Sequence, residues 1–474
     1  MLSALAIGGA AGLAGWRSAS GPTLVPWPAT VRRVFPIVIG GTVGLASASA
    51  VAAVTGLVDG SDDSTTQDST GAVAGRWLAG AIAASGLVAA VVAGGWVARQ
   101  RLLARLIASS AELDLALTTP PAAPLVSAGP NSVQQVGELG REGARFVHWT
   151  TGPNDVAAVV TTLINGAEAT VREPIRVFVG ELAAPTVQQR VGLAVAELRR
   201  LGAFERSALL VQAPAGTGYA NSTPADVLEL LTAGDCASVA VGYGLLPSFL
   251  SLRAVPVAAH TQQLLFEAIA AERARLGSST RVLAYGESLG AKVQQVALAN
   301  GLPDLDRWGV DRALWVGTPG GVQADAFRTT CGSQAVVLDS PADLPVDGAD
   351  YRVWFLQHDG DPVVRFRPDL LWRRPEWLPR DGRRGRNVPA QLRYRPGLTY
   401  LQTLVDTLFA TNVKPGDFQS LGHDYRADLG EVVTAAFQLP APGWPAPDKA
   451  TMDRLDARLR ALEVGRAVRV EGTA

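Results

Sequence analysis

A serine hydroxyl is a weak nucleophile until a positioned base takes its proton, so candidates lie where the backbone exposes the hydroxyl and a histidine and carboxylate follow. Ser288 fits: it sits in Gly286-Glu287-Ser288-Leu289-Gly290, the one G-x-S-x-G match in the chain. Glycines two residues to either side leave room for the sharp turn that lifts such a serine above a sheet. The pattern alone is weak, since 50 glycines in 474 residues give about 0.3 such matches by chance. Its ordinary alternative is a Gly/Ser turn. Context strengthens it, because 281–285 reads as a strand and 290–299 as a helix, the setting this motif requires.

The chain holds four histidines, His148, His260, His358 and His423, and only the last two follow the serine. His423, in a Gly422-His423-Asp424-Tyr425 loop before a helix, is the expected base; His358 is the alternative. For the carboxylate, His358-Asp359-Gly360-Asp361-Pro362-Val363-Val364 follows a strand. Asp361 is favoured over Asp359 because proline stiffens the turn that aims the side chain, with Asp339 an outside candidate. Attack on a carbonyl also needs donors for the oxyanion. The Leu289 N–H at the helix start is one; Gly216, Thr217 and Gly218, in the loop Pro214-Ala215-Gly216-Thr217-Gly218-Tyr219, are the others expected, unless this is a simple turn. No cofactor or metal is implied, and Cys236 and Cys331, outside any metal-ligand spacing, read as buried apolar residues.

These residues need a scaffold. From about residue 174, short β-branched runs at 175–179, 207–212, 237–243, 281–285, 313–317, 335–338 and 351–357 alternate with helical patterns at 186–201, 262–276 and 290–299. Such alternation predicts an α/β fold of the α/β-hydrolase type: a mostly parallel sheet with helices on both faces and chemistry at the carboxyl ends of the strands.

The first hundred residues differ in composition. Runs 34–58 and 77–98 carry no charge and are long enough to cross a bilayer, and Gly40 and Gly44 give the small-residue spacing of close helix packing in lipid. Run 1–16 is also uncharged but short. Arg17, Arg32 and Arg33 precede run 34–58, and Arg99, Arg101 and Arg105 follow run 77–98, which by the positive-inside rule places the rest of the chain in the cytoplasm; Arg76 counts weakly against. The expected organisation is therefore an all-α transmembrane region at 1–110, a linker at 111–135, a catalytic domain at 136–440 and a helical tail at 441–474. A formal net charge of -1 argues against nucleic acid as a partner.

The soluble part resembles the α/β-hydrolase catalytic domain of a family of mainly actinobacterial membrane proteins that carry a multi-helix amino-terminal membrane domain. The likeness rests on Pro174-Ile175-Arg176-Val177-Phe178-Val179-Gly180, Gly216-Thr217-Gly218-Tyr219, Gly286-Glu287-Ser288-Leu289-Gly290, the segment from Gln357 to Val364, Pro368-Asp369-Leu370-Leu371-Trp372 and Gly422-His423-Asp424-Tyr425. It implies a catalytic triad and a location in the bacterial cell membrane, but no particular substrate. The family's amino-terminal domain has more membrane helices than the two clear runs found here.

Segment 365–395 holds ten arginines with Trp372 and Trp377. Beside an anionic leaflet such a segment is drawn to the surface, suggesting a lid or pad that feeds lipid-like substrate to Ser288; a solvated loop pairing its arginines internally is the alternative. The expected function is hydrolysis of an ester, thioester or lipid acyl bond, with the bilayer and an acyl ester substrate as partners. Acyl transfer by the same triad, or a non-catalytic membrane scaffold, are the rivals. Oligomeric state is not legible.

Overall fold

The computed structural model describes residues 10–59 (12, 16 and 18 excepted), 112–163, 170–244, 251–321, 327–345 (328 and 330 excepted), 350–381, 384–410, 416–440 and 444–471 (445 excepted). Helix α1 (Ala29–Asp59) is followed by α2 (Val136–His148) and α3 (Pro153–Leu163), which lead into an alternating core. That core runs β1 (Ile175–Val179), α4 (Val187–Arg200), β2 (Ala208–Ala213), α5 (Ser222–Leu231), β3 (Cys236–Val241), α6 (Val255–Leu276), β4 (Arg281–Glu287), α7 (Leu289–Ala297), α8 (Leu302–Trp308), β5 (Val310–Val316), β6 (Ala335–Leu338) and β7 (Val353–Leu356). Helices α9 (Leu398–Leu408), α10 (Arg426–Ala436) and α11 (Lys449–Glu471) follow.

Among the described residues the strands form one seven-stranded sheet in the order β1-β3-β2-β4-β5-β7-β6, and every pairing is parallel. Parallel strands need crossovers that cover both faces, so the strand interiors are largely apolar, with Arg176 and Gln212 among the buried exceptions. Alternate residues serve opposite faces. Val177, Leu209, Val211, Val239 and Val282 meet Val191, Leu198, Leu265 and Phe266 of α4 and α6. Phe178, Leu210, Ala240, Leu283 and Leu314 meet Leu228, Leu231, Val432 and Val433 of α5 and α10. From β2 the chain crosses outward to β3, whereas from β4 it leaves toward β5, so the connections part between β2 and β4. The carboxyl ends of those two strands therefore border the crevice where such sheets bind ligands.

Helix α6 begins at Val255 rather than near 262, because Pro256 suits a first helical turn and Val255, Ala258 and Ala259 are buried. Within the stretch read as a linker, Val126, Ser127 and Ala128 are buried; Val126 bridges Arg176 in parallel, and the Ser127 hydroxyl accepts from the Phe178 N–H at 3.1 Å.

Run 34–58 falls within α1, where Val34, Ile37 and Val38 are exposed. Among the described residues no helix is long and apolar enough to cross a membrane, and most side chains of α1 beyond Val43 lie outside that description. Run 77–98 lies wholly, and run 1–16 mostly, outside the described residues.

Candidate active site

Ser288 occupies the single position between β4 and α7, with φ 55° and ψ −125°. An L-residue rarely adopts positive φ, so the turn is strained and holds only because its surroundings fix it. The Ser288 N–H donates to the Val316 carbonyl at 2.9 Å, anchoring the turn to β5. The two glycines are sterically required: a Cβ on Gly290 would lie 2.1 Å from the Ala213 carbonyl oxygen, and one on Gly286 would lie 2.7 Å from the Gly290 oxygen.

Asp361 and His423 come together from separate loops. Asp361 follows β7 and is fully buried; its Oδ1 accepts from the Val363 N–H at 2.8 Å and its Oδ2 faces His423 Nδ1 at 2.6 Å. A carboxylate acceptor places the imidazole proton on Nδ1 and leaves Nε2 as the acceptor. That Nε2 is buried without a hydrogen-bond partner. His423 and Ser288 line the same cavity of about 360 Å³, at the carboxyl ends of β2 and β4. Burial alone depresses the imidazole's basicity, but the Asp361 charge and hydrogen bond outweigh it and hold His423 above the ordinary histidine value.

Two residues given no role by the sequence reading complete this arrangement. The Tyr425 hydroxyl donates to the same Asp361 Oδ2 at 2.6 Å. Burial, and next the Asp361 charge, raise the Tyr425 phenol, so it stays a donor. Gly317, at φ +59°, makes room for the histidine: a Cβ there would lie 2.6 Å from His423 Cε1 and 2.7 Å from Tyr425 Cε2. A glycine ending a strand was the available signal for Gly317; a tyrosine two residues after a histidine carries none.

The alternative candidates have other partners. His358 Nε2 faces Asp428 Oδ2 at 2.7 Å, its ring stacks on Tyr425 at 3.9 Å, and its backbone N–H donates to the Tyr425 hydroxyl at 3.1 Å. It therefore supports the tyrosine that supports Asp361. Asp428 also accepts from Arg386 at 2.7 Å and Ser420 at 3.0 Å. Asp359 pairs with Arg365, and Asp339 accepts from the Asp359 N–H at 2.7 Å.

For the oxyanion, the Leu289 N–H lies in the first turn of α7, where helical bonding leaves it unused. In the facing loop the Gly218 N–H is taken by the Ala215 carbonyl at 2.9 Å, and the Ala215 N–H by the Tyr219 carbonyl at 2.7 Å. Gly218 is thus a turn residue, not an available donor. Among the described residues the N–H groups of Gly216 and Thr217 enter no such backbone bond, and Thr217 lines the cavity. No cluster of three or more His, Cys, Asp or Glu among the described residues is placed to hold a metal ion.

Segment 365–395 folds back onto the domain. Leu378, Val388 and Leu392 pack with Leu24, from the stretch before α1. Asp406 of α9 fixes that stretch, accepting from the Trp27 indole N–H at 2.6 Å and the Leu24 N–H at 3.2 Å. Val25 reaches the histidine loop, its Cγ1 lying 2.8 Å from where a Gly422 Cβ would stand. Arg365 and Arg386 pair with Asp359 and Asp428, while Trp372 is 68% exposed and so is not needed for packing.

A parallel sheet flanked by helices, with a serine on a strained strand-to-helix turn, defines an α/β-hydrolase architecture. The Alpha/beta-hydrolase family matches residues 175–452, and the chain belongs to it. Its architecture and family mark it as a hydrolase. Among solved structures it is similar to an acetylxylan esterase, at 17% identity over 33% of this chain and 84% of that one, with a TM-score of 0.23. No curated protein sequence matches.

Proposed function

We propose that the protein is a membrane-anchored serine hydrolase that cleaves an ester, thioester or lipid acyl bond through an acyl-enzyme on Ser288. The observation that carries this is the imidazole of His423: one nitrogen lies 2.6 Å from a buried carboxylate, and the other is unpartnered in the cavity that Ser288 lines. In this reading Ser288 Oγ attacks the carbonyl carbon while its proton passes to His423 Nε2. Asp361 stabilises the imidazolium that forms, and the N–H groups of Leu289 and of Gly216 or Thr217 hold the oxyanion. The leaving alcohol or thiol departs with the proton from Nε2, and water, activated by the same nitrogen, releases the acid.

Membrane attachment is supported by the uncharged runs 34–58 and 77–98 and the arginines that flank them. Exposed Trp372 beside Leu371 and Arg373 suits the interfacial pad. A cytoplasmic catalytic domain follows from the same arginines.

The test is hydrolysis of p-nitrophenyl butyrate by the full chain in detergent. Ser288→Ala and His423→Ala are expected to lower kcat by a factor of about 10³ or more. Wild-type rates in a folded Ser288→Ala variant would remove the serine mechanism. Product analysis with an added alcohol separates hydrolysis from acyl transfer.

A further inference from the structure

The cavity beside Ser288 has a polar floor that the triad does not use. Gln212, second from the end of β2, is 1% exposed and lines the cavity, yet neither its Oε1 nor its Nε2 has a hydrogen-bond partner. Such an amide is costly in a core, where almost every buried polar group is paired. Gln212 stands opposite Tyr285 in the β2–β4 register, and Glu287 is two residues further along, so the three share one face of the sheet. Glu287 also lines the cavity. Its Oε2 accepts from Asn221 Nδ2 at 2.6 Å and from the Tyr285 hydroxyl at 2.8 Å, and among the described residues both bonds fall on that oxygen. The arginine that lines the cavity is already neutralised: Arg426 is held by Asp424 and Glu463.

We infer that the Gln212 amide and the Glu287 carboxylate form a subsite for a hydroxyl group of the substrate, so that the ester cleaved at Ser288 belongs to a polyol or sugar-like alcohol. A hydroxyl both accepts and donates. It takes the Gln212 Nε2–H and gives its own hydrogen to Gln212 Oε1 or to the free oxygen of Glu287. An ammonium group would leave the amide donor unmatched, and a methylene chain would leave both groups unmatched. Sites built to hydrogen-bond a hydroxyl reject analogues that lack it more strongly than apolar pockets reject small changes in size. This inference rests on Ser288 being the nucleophile and narrows the acyl esters of that reading to hydroxylated ones.

The test compares the rates at which two p-nitrophenyl methylphosphonates phosphonylate the full chain in detergent. One carries a 2,3-dihydroxypropyl ester, the other a propyl ester. Wild type is expected to react about tenfold faster with the dihydroxypropyl compound. In Gln212→Leu, shown to be folded by its thermal transition, that ratio falls toward one. Gln212→Met and Glu287→Gln, both close in volume to the residues they replace, provide the same readout if Gln212→Leu does not fold. Equal rates in wild type, or an unchanged ratio in the folded variants, would overturn the subsite while leaving Ser288 reactive. Absence of phosphonylation by either compound would remove the serine reading and the subsite with it.

Discussion

Two donors converge on one oxygen of Asp361: the His423 imidazole and the Tyr425 hydroxyl, each at 2.6 Å. The tyrosine draws charge from the carboxylate and so limits how strongly the carboxylate stabilises imidazolium. The sign matters for catalysis. His423 acts as a base only when neutral, and its pKa lies above the ordinary value, so activity is expected to rise with pH through that raised pKa. Tyr425→Phe leaves Asp361 a stronger partner for imidazolium, so the acid limb of kcat/KM moves to higher pH, and kcat/KM measured on that limb falls by up to about tenfold. A pH–rate profile of the two proteins checks this; coincident acid limbs would show that Tyr425 only fills space. Ser288, Asp361 and His423 could be chosen from sequence because each stands at the end of a recognisable strand or before a recognisable helix. Tyr425 was illegible because its role comes from contacts between loops far apart in the chain, and Gly317 offered only its place at the end of a strand.

The strands were legible as elements because a parallel sheet covered on both faces demands short, mainly apolar runs, as in Ile175–Val179 and Ala208–Ala213. Their order was not, since adjacency depends on which crossover packs where. The stretch holding Leu24, Val25 and Trp27 gave no sign of its docking because it has no periodicity. Its anchor, Asp406, has a pKa pushed up to about 6, chiefly by burial, although bonds from Trp27, Leu24 and Val25 oppose the shift. A folded-state pKa above the unfolded one gives a contribution to docking that is complete below about pH 4 and is lost as pH rises through about 6. Amide exchange in residues 23–27, corrected for intrinsic rates, should therefore be faster at pH 7 than at pH 5. In Asp406→Asn the corrected rates should no longer differ. A pH difference that persists in the variant would place the titration elsewhere.

At the scale of the molecule, a buried charge network ties the last helix to the first strand. Arg176 of β1, fully buried, meets Asp226 and Glu229 of α5 at 2.6 Å each, and Arg466 of α11 reaches Asp226 at 2.6 Å. Removing Asp226 leaves the buried Arg466 without a carboxylate and Arg176 with Glu229 alone, so Asp226→Ala is expected to destabilise the fold by about 3–5 kcal/mol. Asp155→Ala, which breaks only the surface pair with Arg458, should cost about 1 kcal/mol or less. Chemical denaturation of the two variants distinguishes them, and equal losses would contradict the network's role.

The account depends most on Ser288 carrying the reactive hydroxyl. The direct measurement is peptide mapping by mass spectrometry after the full chain, in detergent, has reacted with a fluorophosphonate. One adduct is expected, on the peptide containing Gly286-Glu287-Ser288-Leu289-Gly290, lost in Ser288→Ala and slowed strongly in His423→Ala. An adduct on another residue, or an unmodified chain whose thermal transition shows it to be folded, would contradict the account.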